Sequence, residues 1–124
     1  MRLIQVVQTP ELRLEVKAGQ EQLDRVVKGA YASDLLSNVM ARANEGNIWI
    51  TLQAHQNIVA VAALLNLAGI VIAGGIEPQE DTLLKAEEEG IPILTTPLSS
   101  FEVAGRLYAL GIGADDGQAK MAQS

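Results

Sequence analysis

Cysteine is absent from the 124 residues of the chain, which excludes disulfide bonds, thiolate metal sites and cysteine nucleophiles. Aromatic residues make up only 3% of the sequence, and 15 acidic residues outnumber 9 basic ones, for a formal net charge of −6. A chain of this charge repels a phosphate backbone on average, and its few scattered aromatic residues offer no surface for base stacking. We therefore expect no nucleic-acid partner.

Apolar residues, in contrast, form 48% of the chain, which is typical of a packed globular domain. We expect a single domain over residues 1–111 and a flexible C-terminal tail over residues 112–124, where no apolar period is visible. The opening residues, MRLIQVVQTPE, do not match a signal peptide. Together with the lack of cysteine, this predicts a cytoplasmic location.

One apolar run, IVAVAALLNLAGIVIAGGI over residues 58–76, has the length of a membrane-spanning helix. Glycines interrupt it at three positions, its IVI segment is β-branched, and no Lys or Arg flanks it. A buried helix, a glycine turn and a buried strand explain the run better, so we expect no membrane association.

Strand-like and helix-like segments alternate along the second half of the chain. Alternation with short turns requires right-handed crossovers and therefore predicts a largely parallel sheet. We expect an α/β domain of three-layer type, with helices flanking that sheet. The predicted order is strand 48–53, helix 57–67, strand 70–73, helix 79–89, strand 92–95 and a helix from Ser99, where Ser99 and Glu102 have capping-box spacing.

The first half of the chain is less regular. A short helix is predicted before Pro10, and the alternation of apolar and charged residues over 12–17 predicts a half-buried strand ended by Gly19. A second strand is predicted over residues 26–32. Ser33 or Asp34 is expected to cap the helix SDLLSNVMARA, whose end we place at Gly46.

The stretch WITLQAHQN, residues 49–57, carries the single histidine of the chain between a predicted strand and a predicted helix. Open α/β sheets bind ligands at the carboxyl ends of their strands, and helix N-termini attract anions. Gln53, His55 and Asn57 therefore form either a pocket for a small anionic metabolite or a surface turn in which Asn57 caps the helix. No second histidine or set of spaced carboxylates accompanies His55, so we expect no metal site.

Two other turns are predicted at the same edge of the sheet. Gly74 and Gly75 follow one strand, where they either let backbone amides approach a phosphate or supply positive φ for a tight turn. Thr95 and Thr96 end another strand and are candidates to line the same crevice. Parallel connections bring these turns together with His55 if the sheet forms as predicted.

The segments LDRVVKGAYASDLLSNVM and WITLQAHQNIVAVAALLNLAGIVIAGGIEP resemble the DRTGG domain family, with a likeness that covers about residues 1–111. The signature Asp-Arg corresponds to Asp24 and Arg25. The signature Thr-Gly-Gly corresponds to Ala73, Gly74 and Gly75, so alanine replaces the family's threonine. The resemblance implies a stand-alone small α/β module related to regulatory domains and to the non-catalytic N-terminal domain of HPr kinase/phosphorylase.

Asp24 and Arg25 are either a clamp for a carboxylate or phosphate, which Arg binds in a bidentate way, or a local ion pair that fixes the start of a strand. Kinase chemistry is not supported, because no G-x-x-x-x-G-K-[ST] loop occurs. No nucleophile with an orienting base is visible either, so we expect no catalytic residue and no cofactor.

The leading hypothesis is a non-enzymatic regulatory or ligand-binding module that acts as a homodimer and senses a small anionic metabolite or nucleotide. The alternatives are a structural adaptor for a partner enzyme and, third, a small enzyme. The homodimer is predicted from the helix at 58–67, in which only Asn66 is polar. A stripe around Val59, Ala63 and Asn66 is expected either to pack on its own copy or to lie under a neighbouring helix of the same chain.

Overall fold

The computed structural model describes residues 1–113, which fold around one five-stranded sheet. The strands are β1 (Glu15–Ala18), β2 (Gly29–Ala32), β3 (Asn47–Thr51), β4 (Gly69–Ile72) and β5 (Ile93–Thr95). The helices are α1 (Leu3–Val7), α2 (Leu36–Arg42), α3 (Asn57–Leu65), α4 (Glu80–Glu89) and α5 (Ser100–Ala109). Two 3-10 turns lie at Pro10–Leu12 and Gln20–Gln22.

The strands lie in the order β1-β5-β4-β3-β2. The four from β2 to β5 are parallel, as their alternation with helices predicted. Strand β1 is antiparallel to β5 and places Glu15 opposite Thr95. The predicted fold class, an α/β domain with a largely parallel sheet, is confirmed. A strand before Gly19 was also predicted, but its antiparallel pairing with β5 was not.

Helices cover both faces of the sheet because successive strand residues point to opposite sides. In β3, Ile48 and Ile50 pack with α1 and α5, whereas Trp49 packs with α2, α3 and α4. All three side chains are at most 2% exposed. Strands buried on both faces read as continuous apolar runs, which explains the pattern of residues 48–50 and 70–72.

Helix α3 lies between α2 and α4 on one face of the sheet. Val59 is fully buried and Ala63 is half-buried, because neighbouring helices of the same chain cover them, so the predicted exposed stripe is wrong at these two positions. Ala60, Leu64 and Asn66 of the same helix are exposed. Asn66 ends the helix in the left-handed conformation, with φ of 55°.

The apolar run over 58–76 forms most of α3, a turn and β4 rather than one long helix. Within residues 1–113, no helix is long and apolar enough to cross a membrane.

Several predicted boundaries and caps differ from the structure. Helix α2 ends at Arg42 rather than near Gly46, and no side chain caps its first turn. Asp34 instead accepts hydrogen bonds from the hydroxyl of Thr51 (2.8 Å) and the amide of Leu52 (2.6 Å), at the end of β3. The carboxylate of Asp34 thus holds the end of β3 in place instead of capping α2.

The predicted tail boundary after Gly111 falls inside packed structure. Ile112 is 7% exposed and belongs to the core beneath α5. The carbonyl of Gly113 accepts a hydrogen bond from the amide of Ala30 in β2. The ordered domain therefore reaches at least Gly113, and the rest of the predicted tail lies outside the described residues.

Candidate ligand crevice at the carboxyl edge of the sheet

The carboxyl ends of β3, β4 and β5 meet at one edge because these strands are parallel. This carboxyl edge holds Gln53 and His55 after β3, Gly74 and Gly75 after β4, and Thr95 at the end of β5. The predicted convergence of these turns on a single edge agrees with the strand directions.

Gly74 and Gly75 form a tight turn with φ values of 74° and 72°. Residues other than glycine rarely adopt this backbone conformation. Their amides donate to the carbonyl oxygens of Leu98 (2.7 Å) and Thr96 (3.0 Å). Both donors are therefore occupied by the loop that follows β5. Of the two interpretations open for this glycine pair, the geometry supports the turn rather than a phosphate cradle.

Thr95 and Thr96 differ in what their hydroxyl groups contact. The Thr96 hydroxyl donates to the carbonyl of Leu12 (2.8 Å) and accepts from the amide of Leu98 (3.2 Å), so it ties two loops together. Thr95 is only 6% exposed, yet no group among residues 1–113 bonds to its hydroxyl. Because Thr95 lines an open cavity, that hydroxyl is available to a ligand.

The cavity beside Thr95 has a volume of about 140 Å³ and lies between β1, the glycine turn and the end of β5. We call it the carboxyl-edge crevice. Its lining residues are Arg13, Glu15, Gly75, Glu77, Thr95, Thr96 and Pro97.

Arg13 is the cation of this crevice. Its backbone is left-handed, with φ of 51°, a conformation that non-glycine residues seldom adopt and that concentrates at functional sites. Its guanidinium forms no ion pair or hydrogen bond with any side chain among residues 1–113, and the residue is exposed. A guanidinium in this state is well suited to bind a carboxylate or a phosphate.

The acidic side of the crevice is partly neutralised by Lys17. Its ammonium lies 3.3 Å from a carboxylate oxygen of Glu15 and 3.4 Å from one of Glu77. The hydrogen bond to Glu15, reinforced by the charges of Glu15 and Glu77, raises the pKa of Lys17 above its usual value. Lys17 is thus paired with two carboxylates, whereas Arg13 is paired with none among residues 1–113.

Gln53, His55 and Asn57 lie at the same edge but do not line the crevice. The Nδ1 atom of His55 accepts a hydrogen bond from the amide of Asn57 (3.2 Å), and the Gln53 side chain donates to the carbonyl of Asp34 (3.1 Å). Asn57 is the first residue of α3, and its side chain makes no capping bond. The interpretation in which Asn57 caps α3 is therefore wrong, since Asn57 lies inside the helix and its side chain accepts no bond from the first turn.

Asp24 and Arg25 lie at the opposite, amino edge of the sheet. The two terminal nitrogens of Arg25 donate to the carbonyls of Leu67 (2.7 Å) and Gly90 (2.8 Å), which follow α3 and α4. The exposed Asp24 carboxylate forms no ion pair with a residue of the described range, so the proposed local Asp-Arg pair is wrong. Arg25 satisfies carbonyl groups at two helix ends, a common task of basic side chains there.

Sequence reasoning missed Arg13, Glu15 and Glu77. The charged positions of the segment 12–17 pointed only to a solvent-facing side of a strand. The sequence gives no signal that this strand lies beside β5, because the pairing joins residues about eighty positions apart.

The fold and crevice define a class: a small three-layer α/β module with a small cavity, lined mainly by polar residues, at the carboxyl edge of its sheet. Residues 1–113 hold no group of three or more His, Asp or Glu side chains arranged to bind a metal ion. The crevice is suited to bind one anionic group through Arg13, with Thr95 as an additional donor.

Comparison with known proteins gives the family. The DRTGG domain model matches residues 11–110, so the chain belongs to the DRTGG domain family. No curated protein matches the sequence significantly.

A solved structure shares the fold: the CBS and DRTGG domains of the regulatory region of Clostridium perfringens pyrophosphatase, complexed with its activator diadenosine tetraphosphate. The TM-score is 0.69 at 23% sequence identity, with 92% of this chain aligned to 48% of that one. The chain thus spans about half the length of that structure.

Proposed function

We propose that this chain is a cytoplasmic, non-enzymatic regulatory module that acts as a homodimer and binds a small anionic ligand in the carboxyl-edge crevice. The observation that carries the proposal is the pairing of two unused groups in one cavity. Arg13 and Thr95 both line it, and neither the guanidinium nor the hydroxyl has a hydrogen-bond partner in the described chain. Both groups can donate to an anion, and a hydrogen bond that involves a charged group is stronger than a neutral one.

The size of the crevice limits the ligand. Pockets that enclose a whole drug-sized molecule measure about 300–1,000 Å³, whereas this cavity measures about 140 Å³. It accommodates a single phosphate or carboxylate group, so a larger ligand extends beyond it. The activator complex of the pyrophosphatase regulatory region supports a nucleotide as the class of ligand.

A regulatory rather than catalytic role is supported by the use of the nearby polar groups. The hydroxyl of Thr96 and the Nδ1 atom of His55 both hold local backbone in place. Catalysis by a hydroxyl nucleophile requires a base within hydrogen-bond reach of it. Thr95 has no such base bonded to it among residues 1–113.

Isothermal titration calorimetry with inorganic phosphate, citrate, AMP, ATP and diadenosine tetraphosphate tests the proposal, and thermal unfolding provides a second readout. We expect one of these anions to bind, and Arg13→Gly to weaken it about 10- to 100-fold, the effect of losing a charged hydrogen bond. Glycine at this position adopts the left-handed backbone freely, so the fold is retained. The control is Arg42→Ala, which also removes an exposed arginine. Alanine is used there because Arg42 lies in α2 and glycine would destabilise that helix.

Equal binding by the wild type and Arg13→Gly would exclude the crevice as the site. If no anion of the panel binds, the second candidate, a structural adaptor for a partner enzyme, gains support.

A further inference from the structure

The outer face of α5 carries the two most exposed large apolar side chains of the described chain. Phe101 and Tyr108 are 87% and 74% exposed, and they are two of the four aromatic residues in the sequence. They are seven positions apart and therefore lie on the same side of the helix. Leu64 of α3 and Leu84 of α4 are also exposed, but neither is accompanied by an exposed aromatic side chain on its helix.

Gly105 lies between the two aromatic residues on that face. A Cβ atom added there meets no atom within 4 Å, so the fold itself does not require glycine at this position. Glycine in a helix interior is less favourable than alanine. A small residue between two exposed rings leaves a notch on the helix surface that another helix can approach closely.

An apolar cavity of about 210 Å³ opens beside this face, between α5 and the edge strand β2. Six of its lining residues are Ala30, Ala32, Ile50, Ala104, Tyr108 and Ile112. The cavity lies at the end of α5 that carries Tyr108. Phe101 lies about 10.5 Å away along the helix axis, at 1.5 Å per residue.

We infer that α5 is the homodimer interface and packs antiparallel on α5 of a second copy, with Phe101 of each copy inserted into the cavity beside Tyr108 of the other. This inference rests on the proposed homodimer and names its surface. A two-fold axis near residues 104 and 105 places each Phe101 opposite the partner's Tyr108, so one surface supplies both the ring and its cavity. The notch at Gly105 lets the two helices meet at the axis.

The exposed rings supply a large part of the area that a stable dimer buries. An aromatic side chain buries about 150–250 Å², so the four rings of the dimer supply about half of the roughly 1,600 Å² of a standard interface. Alanines 104 and 109 of each helix and the rim of the cavity supply further contact area. The area of this face is therefore compatible with a second copy as its occupant.

Sedimentation velocity at tens of micromolar, together with circular dichroism, tests the interface. We expect a wild-type dimer and about a thousandfold weaker association for Phe101→Glu, because each dimer loses two hot-spot residues, each contributing about thirtyfold. Gly105→Arg is the sharper variant, since it raises helix propensity in the monomer while it fills the notch with a charged side chain. Leu64→Glu is the matched control on α3 and is expected to remain dimeric.

A covalent trap provides a second measurement. The chain contains no cysteine, so Gly105→Cys introduces a single thiol close to the proposed axis. Oxidation is expected to yield a disulfide-linked dimer, whereas Leu64→Cys remains uncrosslinked under the same conditions.

The outcomes separate the two proposals. A dimer that persists in Phe101→Glu and Gly105→Arg would show that the two copies associate through another surface. That result would overturn the α5 interface but not the proposed homodimer. A wild-type monomer would overturn both. Folded monomers of the two α5 variants beside a dimeric Leu64→Glu would support the inference, and none of these results depends on the ligand titration.

Discussion

Each of the two edges of the sheet places an arginine beside a cavity. The two arginines differ in whether their guanidinium groups donate hydrogen bonds to other residues of the domain. At the amino edge, Arg25 donates to two backbone carbonyls next to a cavity of about 360 Å³. At the carboxyl edge, Arg13 has no such partner in residues 1–113 beside a cavity of about 140 Å³.

The larger cavity is therefore the poorer candidate for a binding site. Its second cation, Lys28, lies 3.9 Å from a carboxylate oxygen of Glu45, so both of its basic groups already interact with protein atoms. A polar group recognises a ligand only with hydrogen bonds that the fold has left unmade. By that criterion, the signature arginine of the family stabilises this domain and a less conspicuous arginine is available for binding.

The largest expected effect is on the amino edge. Arg25→Met removes two charged hydrogen bonds and leaves the carbonyl of buried Leu67 without a partner, so we expect a loss of about 4 kcal/mol in the free energy of unfolding. Urea denaturation measures it, with Arg42→Met as the control for losing an exposed arginine. A loss below about 1 kcal/mol would mean that the Arg25 contacts contribute little, and the contrast between the edges would fail.

A smaller effect compares two adjacent residues at the carboxyl edge. Thr96→Val loses the bonds to Leu12 and Leu98 and is expected to lower the free energy of unfolding by about 2 kcal/mol. Thr95→Val preserves shape and removes a hydroxyl with no bond in residues 1–113, so stability should change by less than about 0.5 kcal/mol while affinity for the anion falls. Equal destabilisation by both variants would show that the Thr95 hydroxyl has a structural role.

The smallest effects are pH-dependent and lie at the carboxyl edge. The pKa of Lys17 is raised above 10.5 by Glu15, so its contribution to stability is present below that pH and is lost as the pH rises through the folded-state pKa. Urea denaturation at pH 9 and pH 11 measures the difference in the free energy of unfolding between wild type and Lys17→Met. We expect this difference to be as small as that of a surface ion pair at pH 9 and to shrink at pH 11. A difference independent of pH would exclude this ion pair as its source.

Glu102 provides the opposite sign. The backbone amide of Ser99 donates to its carboxylate and lowers its pKa below 4.5. Its contribution is therefore present above about pH 4.5 and is lost as the pH falls through the folded-state pKa. The stability difference between wild type and Glu102→Gln should shrink below that pH, and a constant difference would contradict the capping role of the charge.

Local patterns in the sequence were sufficient for much of this architecture. Ser99 and Glu102 form the predicted capping box, with the Ser99 hydroxyl accepting from the Glu102 amide at 3.1 Å. Residues 48–50 and 70–72 form strands buried on both faces, as their continuous apolar runs indicated. These features depend on contacts between near neighbours, or on burial itself, and both are visible in the order of the residues.

Packing partners were not visible in the same way. The apolar character of α3 correctly indicated that much of the helix is buried, but it did not say whether a second copy or the flanking α2 and α4 would cover it. Asp34 has the sequence position of a helix cap, yet its carboxylate bonds to the end of β3. Side-chain chemistry specifies the kind of partner that a group needs, and only the folded chain brings a particular partner within reach.

The sequence by itself determined the alternation of strands and helices, the parallel direction of the main sheet and the family signature, because hydrophobic periodicity and capping act over a few residues. The tertiary structure alone decided that β1 joins β5, that Arg25 is bound to carbonyls, and that Arg13 and Thr95 share a cavity. Each of these depends on segments far apart in the chain, whose meeting is set by the packing of the whole domain.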